Sequence, residues 1–468
     1  MHNNFHNKFL ARRAAFISAM ITAFLKQNFM LSLDDLKSLA NDILAYAKTK
    51  GASDAAVDLS VSIGQSASVR CGNVENLEYA QEQSASVAVF LGKKRAAATC
   101  SILTQPALKE SVDAALAIAK FGADDDCAGL PDTEFICRDF PDLKQNHPVD
   151  LPMDSAIAYA KTAEDAAFSI DSRITNSEGA NFSTSQGFFI SAHTHNFCAG
   201  FPYSRYSISA AVIAEENNAM QRDFWFDSHC NLDKLQQVES IGKTAAARAL
   251  KRLNPKKIIT NAYPVLFENG AAASLLSHFI GAASGGNLYR GASFLLNKKG
   301  ERIFSPIVSI SEHPFLVERL SSSSFDDEGV ATRTQKIVDE GILQSYFLSA
   351  YSARKLNEKP TGHAGGVHNL AIDAGDDSFE SLIKKMHKGV LITELLGQGV
   401  NLITGDYSRG ACGFWVENGE IQHPVEEITI AGNLQDMFLN IAAVGNDILV
   451  RGAKSTPSLL IESMTVAN

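Results

Sequence analysis

Three neighbouring stretches near the middle of the chain, residues 187–195, 197–201 and 206–214, alternate polar and apolar side chains. A period of two is that of an extended strand, in which successive side chains point to opposite faces. Only a few residues separate these stretches, as in hairpins and meanders. The pattern therefore predicts a meander of antiparallel strands.

Helical periodicity surrounds these strands. Apolar residues recur at helical spacing in residues 31–50, 104–120, 152–170 and 232–253. Period-two strands are also predicted at residues 56–63, 66–70 and 84–90, with turns at Gly64-Gln65 and Gly72-Asn73. Beyond residue 257, short strand-like runs at 265–267, 336–338 and 389–391 alternate with glycine-rich turns, and residues 448–466 are extended. Helices mixed with antiparallel strands indicate the α+β class.

The same patterns predict a division into domains. The predicted segments are an extension at 1–30, an N-terminal α+β domain at 31–122, a linker at 123–149, a middle α+β domain with antiparallel strands at 150–256 and a β-rich C-terminal domain at 257–468. The linker contains three consecutive aspartates and three prolines without sustained periodicity. The last segment is long enough to form its own core.

Composition restricts the classes of partner. The 468 residues carry a formal charge of -10, and no run of Lys and Arg interleaved with aromatic residues occurs, so a nucleic-acid partner is not expected. The seven cysteines are scattered, odd in number and without a Cys-x-x-Cys pair, which favours reduced thiols in the cytoplasm.

The first 30 residues resemble a signal peptide, because Lys8, Arg12 and Arg13 precede an apolar stretch at 14–25. Twelve residues are too few to span a membrane, and no clear cleavage site follows. We interpret the segment as a non-structural extension or an upstream start, with a targeting or membrane-touching helix as the alternative. A cytoplasmic protein without membrane partners is expected.

Ten sequence blocks resemble the TldD/PmbA family in order and spacing. They lie at residues 173–179, 325–330, 339–343, 352–356, 361–369, 393–400, 404–410, 413–419, 427–433 and 445–447. The metallopeptidase branch of that family carries His-Glu-x-x-x-His where this chain reads Ser277-His278-Phe279-Ile280-Gly281-Ala282. Its third ligand, a cysteine in a glycine-rich segment near the C-terminus, corresponds to residues 449–457, which contain no cysteine. The chain is therefore similar to the PmbA (TldE) branch.

The resemblance implies a subunit of a TldD–TldE peptidase that cleaves unfolded peptides. Zinc is expected in a TldD-type partner, whereas no catalytic residue, metal ligand or cofactor is assigned to this chain, since Ser277 and Ala282 cannot replace imidazoles. A dimer is expected, and the choice between homodimer and heterodimer stays open. Two alternatives also remain: a self-sufficient metallopeptidase with another ligand set, and a non-enzymatic peptide-binding homodimer.

Histidines are the candidates for another ligand set. His278 shares an apolar helical face, so a packed or capping role is favoured over a catalytic one. His193 and His195 would lie on one face of a strand, but no carboxylate or cysteine obviously joins them. His363 and His368 lie among glycines that permit close approach of a peptide, with an ordinary glycine loop as the alternative.

Two polar segments complete the set. Asp406 and Arg409 are predicted either to close a turn by pairing or to line a cavity, and with His363 and His368 they are the candidate peptide-cavity residues. Residues 326–329, Asp-Asp-Glu-Gly, are an acidic cluster without the ligand spacing of an EF-hand loop, and a solvated turn is the favoured interpretation.

Overall fold

A computed structural model describes residues 31–468, so the predicted extension at 1–30 lies outside the described residues. The chain forms two compact units. Unit 1 comprises residues 31–124 and 144–250, and unit 2 comprises residues 125–143 and 251–468. The predicted linker is thus divided, because its residues 125–143 belong to unit 2. No helix among residues 31–468 is long and apolar enough to span a membrane.

Unit 1 is built on one six-stranded antiparallel sheet. Its strands are β1 (Asp54–Arg70), β2 (Asn73–Leu91), β3 (Lys94–Cys100), β4 (Ile174–His193), β5 (Phe197–Glu216) and β6 (Ala219–His229). Their order is β3-β2-β1-β4-β5-β6. The predicted meander is confirmed as β4 to β6, although each strand is longer than its period-two signal. Because β1 pairs with β4, the predicted N-terminal and middle domains share one sheet and form one compact unit.

Four helices accompany this sheet: α1 (Leu33–Thr49), α2 (Gln105–Phe121), α3 (Met153–Phe168) and α4 (Val238–Lys251). All four were predicted within a few residues, apart from the first turns of α4. Ser32 caps α1 because its hydroxyl oxygen accepts a hydrogen bond from the Asp35 backbone N–H, and the Asp35 carboxylate accepts one from the Ser32 backbone N–H. The apolar faces of α1 and α2 and the sheet residues beneath them form one core, which includes Leu36, Val57 and Leu108.

The turn predicted at Gly64-Gln65 is wrong. Gly64 lies inside β1, paired with Ala80 on one side and Ser185 on the other. A Cβ at this position would come within 2.8 Å of the Thr184 carbonyl oxygen, so glycine here permits close strand approach. The turn at Gly72 is real, and Cys71 and Gly72 both have positive φ there, as a two-residue hairpin requires.

Unit 2 contains two further sheets. Its strands are β7 (Asn261–Phe267), β8 (Ile310–Glu312), β9 (Gln335–Asp339), β10 (Ile342–Leu343), β11 (Leu370–Ile372), β12 (Gly389–Leu396), β13 (Asp406–Glu417), β14 (Glu420–Asn433), β15 (Ile441–Val444), β16 (Leu449–Arg451), β17 (Lys454–Thr456) and β18 (Leu459–Ala467). One sheet has the order β14-β13-β12-β7-β18-β15, and β14 also pairs with β18, which closes five strands into a ring. The other has the order β10-β9-β8-β11-β17-β16.

Five helices belong to unit 2: α5 (Asn269–Ala283), α6 (Gly285–Tyr289), α7 (Ala350–Leu356), α8 (Phe379–Met386) and α9 (Leu434–Leu439). Helix α5 contacts β7 and β12 of one sheet and β16 and β17 of the other. It therefore lies where the two sheets of unit 2 meet. The β-rich character predicted for residues 257–468 and the α+β class of the chain are both confirmed.

Candidate functional site

Helix α5 forms because small and apolar residues recur at helical spacing. Leu275, Phe279 and Ala282 are among the side chains that it buries. It ends at Ala283, and the next residue, Ser284, has an extended backbone and a hydroxyl that donates to the Gly281 carbonyl. The same helix also carries two polar residues, Ser277 and His278, both half-buried. These two side chains, rather than the fully buried apolar ones, can take part in chemistry.

The three motif positions differ in their surroundings. Ala282 is completely buried in the core of unit 2, where no ligand reaches it. Ser277 donates its hydroxyl proton to the Ala273 carbonyl at 2.7 Å, within its own helix. His278 packs edge-on against Tyr407, with ring centroids 6.0 Å apart, and its Nε2 has no hydrogen-bond partner among the described residues. The packed role predicted for His278 fits this ring contact.

Lys454 of β17 reaches the same place. Its Nζ donates to Ser277 Oγ at 2.6 Å, so a lysine connects the segment 449–457 to helix α5. Burial lowers the pKa of Lys454. The fold thus brings together the two segments in which the resemblance expects metal ligands, and places an amine between them.

Strand β13 adds Tyr407 and Arg409, which share a strand face because they are two residues apart. Tyr407 is 1% exposed, its hydroxyl has no protein partner among residues 31–468, and burial raises its pKa. Burial together with the positive charges of Arg409 and Lys454 lowers the pKa of His278 to about 4. The imidazole is therefore neutral at pH 7. Asp406 points elsewhere: it is exposed and accepts from Thr404, so the alternative of an ion pair with Arg409 is wrong.

We call His278, Tyr407, Arg409 and Lys454 the donor cluster. A metallopeptidase zinc site needs imidazole, thiolate or carboxylate ligands, and a divalent ion next to a lysine and an arginine would be repelled. Among residues 31–468, no group of three or more His, Cys, Asp or Glu side chains is arranged to hold a metal ion. The residues around α5 do not suit Zn²⁺.

His363 and His368 lie in a second polar network of unit 2. His363 Nε2 donates to Glu312 Oε2 at 2.8 Å, and Nδ1 lies 2.8 Å from Thr361 Oγ1. Glu312 also accepts the His368 backbone N–H at 2.7 Å. Burial alone would raise the pKa of Glu312, but the hydrogen bond and charge of His363 outweigh it and lower the pKa. The His363 side chain is 0% exposed in this chain, and its place among the candidate peptide-cavity residues stays a prediction.

The acidic cluster is a buried turn rather than a solvated one. Asp326 is 2% exposed and accepts backbone N–H groups from Glu328, Val330 and Ala364. Burial raises its pKa to about 7. These hydrogen bonds hold the loop in one conformation. The predicted solvated turn is wrong for Asp326, because its carboxylate accepts hydrogen bonds from three backbone amides instead of from water.

In unit 1, His193 and His195 are close but differently placed. His193 stacks on Phe197 with centroids 5.0 Å apart, and His195 Nε2 lies 3.5 Å from Asp54 Oδ1. Their own rings are 6.0 Å apart and nearly perpendicular. His195 lies beyond the end of β4, so the two imidazoles do not share one strand face.

Known proteins share this architecture. Three consecutive domains described as PmbA/TldA metallopeptidase domain 1, central domain and C-terminal domain match residues 55–119, 146–253 and 260–468. The protein described as Metalloprotease PmbA from Escherichia coli O157:H7 is 45% identical over 424 residues, which cover 91% of this chain and 94% of that protein. The chain belongs to the PmbA/TldD family.

Solved structures share the fold of this chain. A crystal structure of a proposed modulator of DNA gyrase from Bacteroides thetaiotaomicron has a TM-score of 0.88 at 29% identity, covering 94% of this chain and 100% of that one. TldE from Thermococcus kodakarensis shares the fold, with a TM-score of 0.80 at 20% identity over 92% and 100% of the two chains.

Some residues of this PmbA/TldD family member were not singled out from the sequence. Lys454 lies in the segment 449–457, which the sequence distinguishes only by its lack of cysteine, and Tyr407 lies in one of the ten blocks that resemble the family. The two-residue spacing of Tyr407 and Arg409 in an extended segment was a usable signal for a shared face. Glu312 gave no such signal, because its strand β8 has only three residues.

Proposed function

We propose that this chain is the metal-free subunit of a peptidase complex that cleaves unfolded peptides, in which a TldD-type partner holds the zinc. The single observation that carries the proposal is the contact between Lys454 and Ser277. An ammonium group lies where the resemblance places metal ligands. An ammonium group cannot coordinate a metal ion, and it cannot serve as the carboxylate base that a zinc peptidase uses.

The chain would contribute binding rather than bond cleavage. The described strands of unit 2 provide extended backbone, and peptides can be held by strand addition. Action in the cytoplasm and assembly as a heterodimer are parts of the same proposal. Family membership supports it, because the relatives at hand carry the names metalloprotease PmbA and TldE.

The test is peptide hydrolysis by the purified full chain, alone and mixed with a TldD-type partner, with zinc measured by elemental analysis. We expect cleavage of an unfolded peptide in the mixture alone, with zinc in the partner. A partner variant without its zinc motif serves as the control and should leave the mixture inactive. Chelator-sensitive cleavage by this chain alone, with one bound zinc, would refute the proposal and favour another ligand set.

A separate outcome concerns the non-enzymatic alternative. If the partner cleaves peptides equally well with and without this chain, then the chain is not a functional part of the peptidase. Sedimentation of the chain alone and of the mixture distinguishes a homodimer from a heterodimer.

A further inference from the structure

The donor cluster contains hydrogen-bonding groups that the protein does not satisfy. His278 Nε2, Tyr407 Oη and Arg409 Nε are enclosed, and none has a hydrogen-bond partner within residues 31–468. Tyr407 is 1% exposed, so water access to its hydroxyl is restricted. Buried polar groups in native proteins nearly always have partners, and leaving one unsatisfied destabilises the fold. Three such groups in one place indicate a missing acceptor.

The cluster is also uncompensated in charge. Lys454 and Arg409 are half-buried, and neither forms an ion pair with any residue in the range 31–468. Ser277 satisfies one of the three N–H groups of Lys454 and supplies no charge. Both cations are close enough to His278 to lower its pKa, and Arg409 also acts on Tyr407. A neutral acceptor such as water would leave both charges unbalanced.

We propose that the donor cluster binds a peptide carboxylate, with Lys454 and Arg409 supplying the charge and Tyr407 and His278 supplying further hydrogen bonds. A carboxylate only accepts hydrogen bonds and has two oxygens with about four lone-pair sites, which matches this set of donors. Charge-assisted hydrogen bonds of this kind are the stronger ones. The ligand is either the C-terminal carboxylate of a peptide or an Asp or Glu side chain.

This inference rests on the proposed function, since it names the part of the peptide that the metal-free subunit holds. It differs from strand addition, in which the hydrogen bonds that give affinity are made to the peptide main chain. It also differs from catalysis, because every group named is a donor, and none is placed to activate water for attack.

The test is binding of an N-terminally labelled alanine–glycine pentapeptide to the full chain, measured by fluorescence anisotropy. Three forms are compared: the free acid, the C-terminal amide, and the amide with one internal glutamate. We expect the free acid to bind at least about tenfold more tightly than the plain amide, because a hydrogen bond to a charged group is lost. Its affinity should also fall with added salt. Tight binding of the glutamate amide would identify the side-chain carboxylate as the ligand.

Variants locate the effect. Tyr407→Phe removes only a hydroxyl and Lys454→Met only a charge, and each should weaken free-acid binding at least about tenfold without affecting the amide. Lys359→Met makes the same charge change at an exposed position outside the cluster and should leave binding unchanged. Lys454→Met should unfold at no lower temperature, because it removes a half-buried cation without a counter-charge.

The outcomes separate the two proposals. Equal binding of all three peptides, or displacement by inorganic phosphate without any difference between acid and amide, would overturn the carboxylate site even if the mixture cleaves peptides. Selective binding of a carboxylate that depends on Lys454 and Tyr407 would support the site even if the mixture were inactive. In that case only the proposed peptidase function would fail.

Discussion

Replacing His363 distinguishes a structural histidine from a functional one. In His363→Leu, Glu312 stays buried but loses the imidazole that donates to its Oε2. The carboxylate keeps the His368 backbone N–H at 2.7 Å and the Gln335 amide at 3.2 Å. Leucine also leaves Thr361 Oγ1 without its contact to Nδ1. The variant therefore removes one side of a buried pair and keeps the charge of the other.

The magnitude follows from burial. The side chains of His363 and Glu312 are 0% and 1% exposed, so solvent cannot replace the lost partner. Breaking a buried pair on one side costs about 3–5 kcal/mol. Glu312→Gln is the milder matched variant, since it removes the charge and keeps an oxygen for the His368 N–H. We expect it to cost about 1–2 kcal/mol, in the range of one lost hydrogen bond.

The assay is urea unfolding of the full chain, followed by tryptophan fluorescence. The chain has two tryptophans. Trp225 lies in unit 1 and Trp415 in unit 2, so a Trp225→Phe background makes fluorescence report unit 2 alone. If His363→Leu unfolds within about 1 kcal/mol of the parent but abolishes hydrolysis by the mixture, the structural reasoning fails and His363 belongs to a peptide site.

Two further predictions use urea unfolding, with the Trp225→Phe background for changes in unit 2 and a Trp415→Phe background for changes in unit 1. The pKa of His278 is about 4 in the folded chain and 6.5 in the unfolded chain, so the unfolded chain binds a proton first as the pH falls. The contribution of His278 to stability is therefore fully present above pH 6.5 and is lost as the pH falls toward 4. The free energy of unfolding of the parent should fall by at most about 3 kcal/mol between pH 7.5 and pH 4.5 because of this group. His278→Leu should lack this part of the pH dependence. An identical loss of stability in the parent and the variant would contradict the assignment. Gly242→Ala should destabilise unit 1 by about 1–3 kcal/mol, because its Cβ would come within 1.8 Å of the Ala163 carbonyl oxygen across two packed helices. Gly270→Ala, whose Cβ meets only Leu449 at 3.7 Å in a helix, is the matched control and should be neutral or stabilising, and equal effects of the two changes would refute the close-contact argument.

The sequence predicted the elements that have strong periodicity of their own. Helices α1 to α4 and the long strands of the meander each contain enough residues for the pattern to be recognised. Gly64 was misread because glycine marks both turns and places where strands approach closely, and only the pairing partners distinguish the two. The three-residue strands β8, β11 and β17 carry no period, since they exist only through partners far away in the chain.

The site shows the same limit. Ser277, His278 and Ala282 were singled out by the resemblance to the family motif, and all three lie on helix α5. That Lys454 reaches Ser277 depends on the placement of β17 beside α5, across 177 residues of chain. His363 was singled out by its local glycine neighbours, whereas its Glu312 partner is 51 residues away in the chain and gave no local signal. Tertiary pairing, which local spacing does not encode, decided both cases.

On these proposals, the chemistry of the amine explains why binding and cleavage belong to different subunits. A zinc ion both attracts negative oxygen and accepts its lone pair, which is how it activates bound water. The Lys454 ammonium can do only the first, because it has protons to donate and no open coordination position. Replacing metal ligands by a tethered cation therefore preserves attraction for a peptide carboxylate while removing the capacity for hydrolysis. If so, Lys454→Met in the mixture should raise the KM for a free-acid peptide and leave kcat unchanged, whereas a fall in kcat alone would show that the amine acts in the chemical step.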